Sequence, residues 1–295
     1  MTDHRFDQVL YDVIDVGNQV KIALITLNVP EKLNSWTDAV IDGFTSSLNR
    51  ANVDSTISAA IMTGTGRYFS SGADFSGNGV AWISTMRNIA KTSNHKIFEA
   101  FIAMNKPLVV AINGGAVGGA VTAPCSLCDY VLCVPQSTFH CPFKTLGISA
   151  EGCSEFTFPL RLEKEGAKTL LVEGKKVSAI EALQMNLVQE IVEDPSLLLQ
   201  VALSRTKRMV LAKRQRWRIV PAFQHEIETT YGGNVNSFVA KLREVNEFES
   251  QRLATAIFSK EFFKAQMQGA ERTGRTKLAW IFWVGGLFVP LISRL

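Results

Sequence analysis

Two glycine-bearing loops and one carboxylate hold most of the chemistry this sequence could perform. Phe69-Ser-Ser-Gly-Ala-Asp74 follows a β-rich stretch and its Gly64-Thr-Gly66 turn. Asn113-Gly-Gly-Ala-Val-Gly-Gly-Ala120 follows an apolar stretch and precedes a helix-like one. Small side chains let backbone N–H groups come close to a ligand, and a helix start adds the positive end of a dipole. Two such amides aimed at one point form an oxyanion hole. Either loop alone reads equally well as a tight strand-to-helix turn; the pair is what is specific. Glu151, in Leu146-Gly-Ile-Ser-Ala-Glu-Gly-Cys-Ser154, can act as acid or base, or simply favour a helix N-terminus.

Other constellations are incomplete. Cys125-Ser-Leu-Cys128, preceded by Pro124, copies half of a zinc-deaminase signature, but none of His4, His95, His140 or His225 supplies the His-x-Glu half. The five cysteines, all between Cys125 and Cys153, read as small buried hydrophobes, and no metal site is expected. No Walker loop, dinucleotide fingerprint or Gly-x-Ser-x-Gly elbow occurs. From Arg205 to Arg218, seven of fourteen residues are basic. That run reads as a solvated helix face or, alternatively, as a contact for a ligand's phosphates.

The elements that must position these residues alternate between β-like and helix-like. Lys21–Leu27, Ser58–Thr63, Pro107–Ile112 and Asp129–Val134 read as strands, the third apolar enough to be covered on both faces. Thr37 can cap a helix bearing Val40, Ile41, Phe44 and Leu48 on one face. Such alternation predicts an α/β layer fold, with a helical, more charged region from Pro195 onward. At 295 residues, 46% hydrophobic and 20% charged, the chain has ample apolar material for a core. A net charge of +4 neither requires nucleic acid nor excludes a polyanionic small molecule. Met1–Asp15 is polar and lacks a signal-peptide run, so reduced thiols in an intracellular compartment are expected. Leu278–Ile292 carries no charge, yet its 15 residues fall short of the ~20 of a spanning helix, and Gly285, Gly286 and Pro290 interrupt it. A packed or surface-lying tail is expected.

Taken in order and spacing, Phe69–Asp74, Asn113–Gly119 and Cys128-Asp-Tyr-Val131 resemble the hallmarks of the crotonase (enoyl-CoA hydratase/isomerase) family. The resemblance runs from about Val20 to Asp194 and continues weakly through Leu242–Arg272. It implies a spiral of ββα units over 1–194, a helical oligomerisation region over 195–277 giving a homo-trimer or hexamer, and an apolar tail over 278–295. It also implies an acyl-CoA thioester substrate, no nucleic-acid partner and no cofactor apart from the substrate's own CoA. The Ala73 and Gly119 amides would hold the thioester oxygen. Lys32, Leu33, Ser71, Gly72, Asp74, Gly118, Thr122 and Phe143 would form the acyl and CoA pocket.

Within the family the carboxylates decide the reaction. The two acids that hydratases use are replaced here by Thr122 and by the Cys141-Pro-Phe143 turn. What remains is Glu151, in a stretch similar to the Δ3-Δ2-enoyl-CoA isomerases of peroxisomes, which use a single Glu at that place. Glu155 is the fallback and is expected to face solvent. The resemblance thus implies isomerisation of 3-enoyl-CoA to 2-trans-enoyl-CoA in fatty-acid β-oxidation. Another CoA-thioester reaction and a catalytically silent acyl-CoA-binding role are the alternatives. Ser293-Arg294-Leu295 resembles a C-terminal address read by the peroxisomal import receptor, which implies a peroxisome or a related organelle such as a glycosome. The competing reading is a membrane-associating tail in a mitochondrial enzyme.

Overall fold

The computed structural model describes residues 8–73, 92–257, 259–272 and the single positions 274, 282 and 286. Asp74, most of the 278–295 tail and the Ser293-Arg294-Leu295 tripeptide lie outside the described residues.

Two sheets organise the chain. The larger contains β1 (Val9–Asp15), β2 (Lys21–Leu27), β3 (Ala59–Gly64), β5 (Leu108–Ile112), β7 (Tyr130–Cys133) and β10 (Glu190–Ile191), in the order β1-β2-β3-β5-β7-β10. Its first pair is antiparallel and the others are parallel. The smaller has the order β4 (Tyr68–Ser70), β6 (Gly115–Val117), β8 (Thr138–His140), β9 (Val177–Ser178). Three successive times the chain lays one strand in the large sheet and the next in the small one: β3 then β4, β5 then β6, β7 then β8. With a helix after each of the last two pairs, this is the expected spiral of ββα units.

Helices cover both faces of the large sheet. α1 (Asp38–Val53) starts at Thr37, whose Oγ1 accepts the Val40 N–H at 3.3 Å, and it buries Val40, Ile41, Phe44 and Leu48. Next come α2 (Asn94–Ala103), α3 (Gly119–Leu127), α4 (Phe143–Leu146), α5 (Ser154–Arg161), α6 (Glu163–Ala167) and α7 (Ala179–Gln184). On the large sheet, Ala23, Ile25, Met62 and Val110 face the main core, while Ile22, Leu24, Ile61 and Val109 face the other way. That second face is closed by Leu198 and Ala202 of α8 (Leu198–Leu211). Burial on both sides is why the parallel strands read as continuous apolar runs. α8 is therefore a layer of the core. α9 (Pro221–Thr229), α10 (Val235–Ala256) and α11 (Lys260–Arg272) complete the helical region.

Further features differ from, or sharpen, the sequence reading. Val9–Asp15 is an edge strand of which only Val9 is buried, so its pattern carried little signal. The basic run is not one helix face: α8 ends at Leu211, and Arg216 is buried. Arg216 Nη1 donates to the Phe101 carbonyl at 2.8 Å, Nη2 donates to that of Leu127, and Nε lies 3.4 Å from the Asp129 carboxylate. All five cysteines are free and buried, with the Cys125 thiol pushed up to about 12 by burial, which makes it unreactive. In the tail, Phe282 is buried against the rings of Phe262 and Phe263. No helix among the described residues is long and apolar enough to cross a membrane.

Candidate active site

Asn34 knits the first glycine loop together. Its Oδ1 accepts the Val29 N–H at 2.8 Å, and its Nδ2 donates to the Thr65 and Tyr68 carbonyls at 2.9 Å each. Its carbonyl accepts from Ser70 Oγ at 2.6 Å, and that hydroxyl in turn accepts the Gly72 N–H at 3.0 Å. Trp36 donates its N–H to the Gly72 carbonyl at 2.8 Å, in a parallel bridge that pairs Trp36 with Ala73. Backbone groups alternate along an extended strand, so this pairing turns the Ala73 N–H away from Trp36.

The second loop lies directly against the first. A Cβ on Gly72, whose φ is +76°, would stand 2.4 Å from the Val117 carbonyl oxygen. Only glycine permits that approach. Gly118 sits at φ 59°, ψ −126°, with its N–H on the His140 carbonyl at 2.8 Å. This kink delivers Gly119 as the first residue of α3, where its free N–H adds to the positive end of the helix dipole.

Glu151 meets that amide. A Cβ on Gly119 would stand 3.0 Å from Glu151 Oε1 and 2.6 Å from Trp36 Cζ3, so the carboxylate lies beside that amide. Glu151 is held by a turn with two successive left-handed residues, Gly152 at φ 75° and Cys153 at φ 58°. The Ser154 hydroxyl closes the turn on the Glu151 carbonyl at 2.6 Å. Glu249, fully buried on α10, supplies the rest. Its carboxylate accepts the Cys153 N–H at 2.6 Å and the Glu155 N–H at 3.1 Å, capping α5 from another helix. Burial and the charge of Glu249 push Glu151 up to about 8, against the opposing effect of the Gly119 N–H. Burial likewise pushes Glu249 up to about 7, opposed by its two backbone donors.

These groups line a mainly apolar cavity of about 90 Å³ walled by Trp36, Ile41, Ile97, Phe143, Leu253 and Ile257. Ser71, Ala73, Gly118, Gly119 and Glu151 all face it. Among the described residues Glu151 is its sole lining carboxylate. Lys32, Leu33, Gly72 and Thr122 do not line it. Lys32 is exposed at the end of a 3-10 turn, and Leu33 caps that turn. Gly72 packs on Val117, and Thr122 is buried under Gly152. Glu155 is exposed and paired with Arg252. Asn34, Trp36 and Glu249 escaped the sequence reading. Asn34 and Trp36 follow the Asn28–Glu31 break, a position that signals only a turn. Glu249 is 98 positions from Glu151 in an ordinary charged helix, so nothing local marks it. The arrangement can stabilise a developing negative charge at Ala73 and Gly119 and move a proton beside it.

Comparison with known proteins bears on the family and the fold. The sequence model described as enoyl-CoA hydratase/isomerase matches residues 17–259. Enoyl-CoA delta isomerase 2 of Rattus norvegicus is 35% identical over 182 residues, covering 60% of this chain and 45% of the relative. Enoyl-CoA delta isomerase 3, peroxisomal, of Mus musculus is 35% identical over 179 residues, covering 60% and 56%. The match thus spans about half the length of these two relatives. The crystal structure of an enoyl-CoA hydratase/isomerase from Pseudoalteromonas atlantica shares the fold, with a TM-score of 0.70 at 23% identity over 89% of this chain and 97% of that one. Loops, spiral and family match converge, and the chain belongs to the enoyl-CoA hydratase/isomerase, or crotonase, family.

Proposed function

We propose that this protein shifts the double bond of a 3-enoyl-CoA to the 2-trans position, with Glu151 as the one proton carrier. The observation that carries this reading is the placement of a single cavity carboxylate beside Gly119 in one apolar cavity. The ionised Glu151 takes a proton from C2, and the electrons move toward the thioester oxygen. The Ala73 and Gly119 N–H groups stabilise the resulting dienolate. The same carboxyl then returns the proton at C4, so that no water is consumed and no second acid is needed. In the free protein the Glu151 carboxylate stands beside Gly119. A thioester oxygen that takes the Gly119 N–H removes an influence that lowers the Glu151 pKa, making it a stronger base at the moment a base is required. Hydration would need a second group at the cavity; Glu249 lies behind it, committed to two backbone amides.

Rates for purified protein with a 3-enoyl-CoA and a 2-enoyl-CoA, measured side by side, test this. Fast isomerisation with slow or undetectable hydration is expected. Hydration as fast as isomerisation would overturn the single-carboxylate reading. The same proposal includes a trimeric or hexameric assembly and a peroxisomal location. The peroxisomal designation of the mouse relative supports that location, and co-localisation with a peroxisomal marker would test it.

A further inference from the structure

The apolar stretch after α11 sends one described side chain to the neighbourhood of the active site. Phe282 is buried in a small core distinct from those on the two faces of the large sheet. That core joins Phe282 to Leu253 and Ile257 at the end of α10 and to Phe262 and Phe263 of α11. The three rings meet edge to face, with centroids 5.7 Å apart between Phe262 and Phe263, and 6.5 and 6.3 Å from these two to Phe282. Edge-on contact is a favoured geometry of aromatic pairs.

Leu253 and Ile257 also wall the Glu151 cavity. Ile148, another wall residue, packs against the same small core. Trp36, Ile41, Ile97 and Phe143, on the remaining wall, belong instead to the main core beneath the sheet. One stretch of the cavity wall is therefore backed by aromatic rings from the C-terminal region. α11 is tied down beside it. The Ser259 hydroxyl accepts the Phe262 N–H at 3.0 Å, and Gln266 Nε2 donates to the Leu146 carbonyl at 3.3 Å. Gly147, at φ 68°, lets the two segments touch: a Cβ there would stand 2.7 Å from Phe262 Cα.

We propose that Phe282 is a specificity-determining residue: by backing Leu253 and Ile257 it fixes the depth of the cavity and so the length of acyl chain the protein accepts. Phe282 does not line the cavity, so it acts through those two side chains and not by touching substrate. The inference rests on the reading of this cavity as an acyl-CoA site, but not on which carbons exchange protons there. An acyl tail gains affinity for as long as each further methylene leaves water against a wall. A close-packed wall ends that gain; a wall free to relax backward extends it. Removing the Phe282 ring leaves an apolar void, of the kind that stays dry and accepts apolar groups, into which Leu253 and Ile257 can retreat.

Calorimetric titration of the full-length protein with butanoyl-CoA and dodecanoyl-CoA tests the proposal on wild type and Phe282→Ala. Neither thioester has a double bond to move, so binding is read apart from isomerisation. The dodecanoyl-to-butanoyl affinity ratio should rise at least about fourfold in Phe282→Ala, the scale of one further methylene leaving water. Phe223→Ala, which removes a buried ring from the main core at α9, should leave the ratio unchanged. An unchanged ratio in folded Phe282→Ala overturns the proposal. So does an equal rise in Phe223→Ala, which would assign the effect to general loosening. If Phe282→Ala does not fold, Phe282→Leu decides: a ratio raised at least about twofold upholds the proposal, and an unchanged ratio overturns it. The expected ratios in a protein without isomerase activity would uphold the role of Phe282 and overturn only the catalytic reading.

Discussion

At the residue scale, the site depends on how Glu151 is half-withdrawn from water and set beside a second acid. Its ordinary range is near 4.3, and burial together with Glu249 moves it up to about 8. A base must be ionised, so the ionised fraction, and with it kcat/KM, should rise with pH through a limb near 8. Glu249→Gln removes the like charge and should move that limb to lower pH, because one of the two upward pushes on Glu151 is gone. The variant should also lose some stability, since an amide cannot accept both the Cys153 and Glu155 N–H groups as a carboxylate does. A pH–rate profile on both proteins checks this. An unmoved limb would mean that Glu249 serves only to hold the turn. Glu151 itself was legible in the sequence through its motif. Glu249 was not, because its role comes from a helix packing back onto the core.

Two contacts decide how the elements hold the site. Gly119 sits where α3 begins under the Trp36 ring, and any side chain there must displace either the indole or the Glu151 carboxylate. Gly119→Val should therefore lower turnover by ~10²–10³-fold, the scale of losing an oxyanion donor, with the circular dichroism spectrum unchanged. Wild-type turnover in that variant would show the loop to be misassigned. Away from the site, Arg216 ties the segment between α8 and α9 to three backbone carbonyls and to Asp129, both side chains being almost fully buried. Arg216→Met leaves the Asp129 charge unpaired and should cost about 3–5 kcal/mol in urea unfolding. A loss below about 1 kcal/mol would put the pair on the scale of surface ion pairs. The sequence showed Arg216 only as one member of a basic run. Burial separates it from its neighbours, and burial is not written in local composition.

Over the whole molecule, the inner strands β2, β3, β5 and β7 of the large sheet were readable because both their faces are covered, which makes them largely apolar. β1 was not, because one antiparallel neighbour defines it and only Val9 is buried. The spiral came from the family resemblance; periodicity supplied the layers but not their winding. The role of α8 as a sheet cover was hidden by its charged outer face, and the 90 Å³ cavity could not have been read at all, since its walls come from segments up to 221 positions apart, Trp36 to Ile257. The architecture converges on one carboxyl group, and the most direct test replaces it. Glu151→Gln keeps the shape and removes the base, so acyl-CoA binding and thermal stability should persist while turnover of a 3-enoyl-CoA falls ~10²–10⁴-fold. Turnover within about tenfold of wild type, with binding intact, would contradict the account and assign the proton transfer to another group.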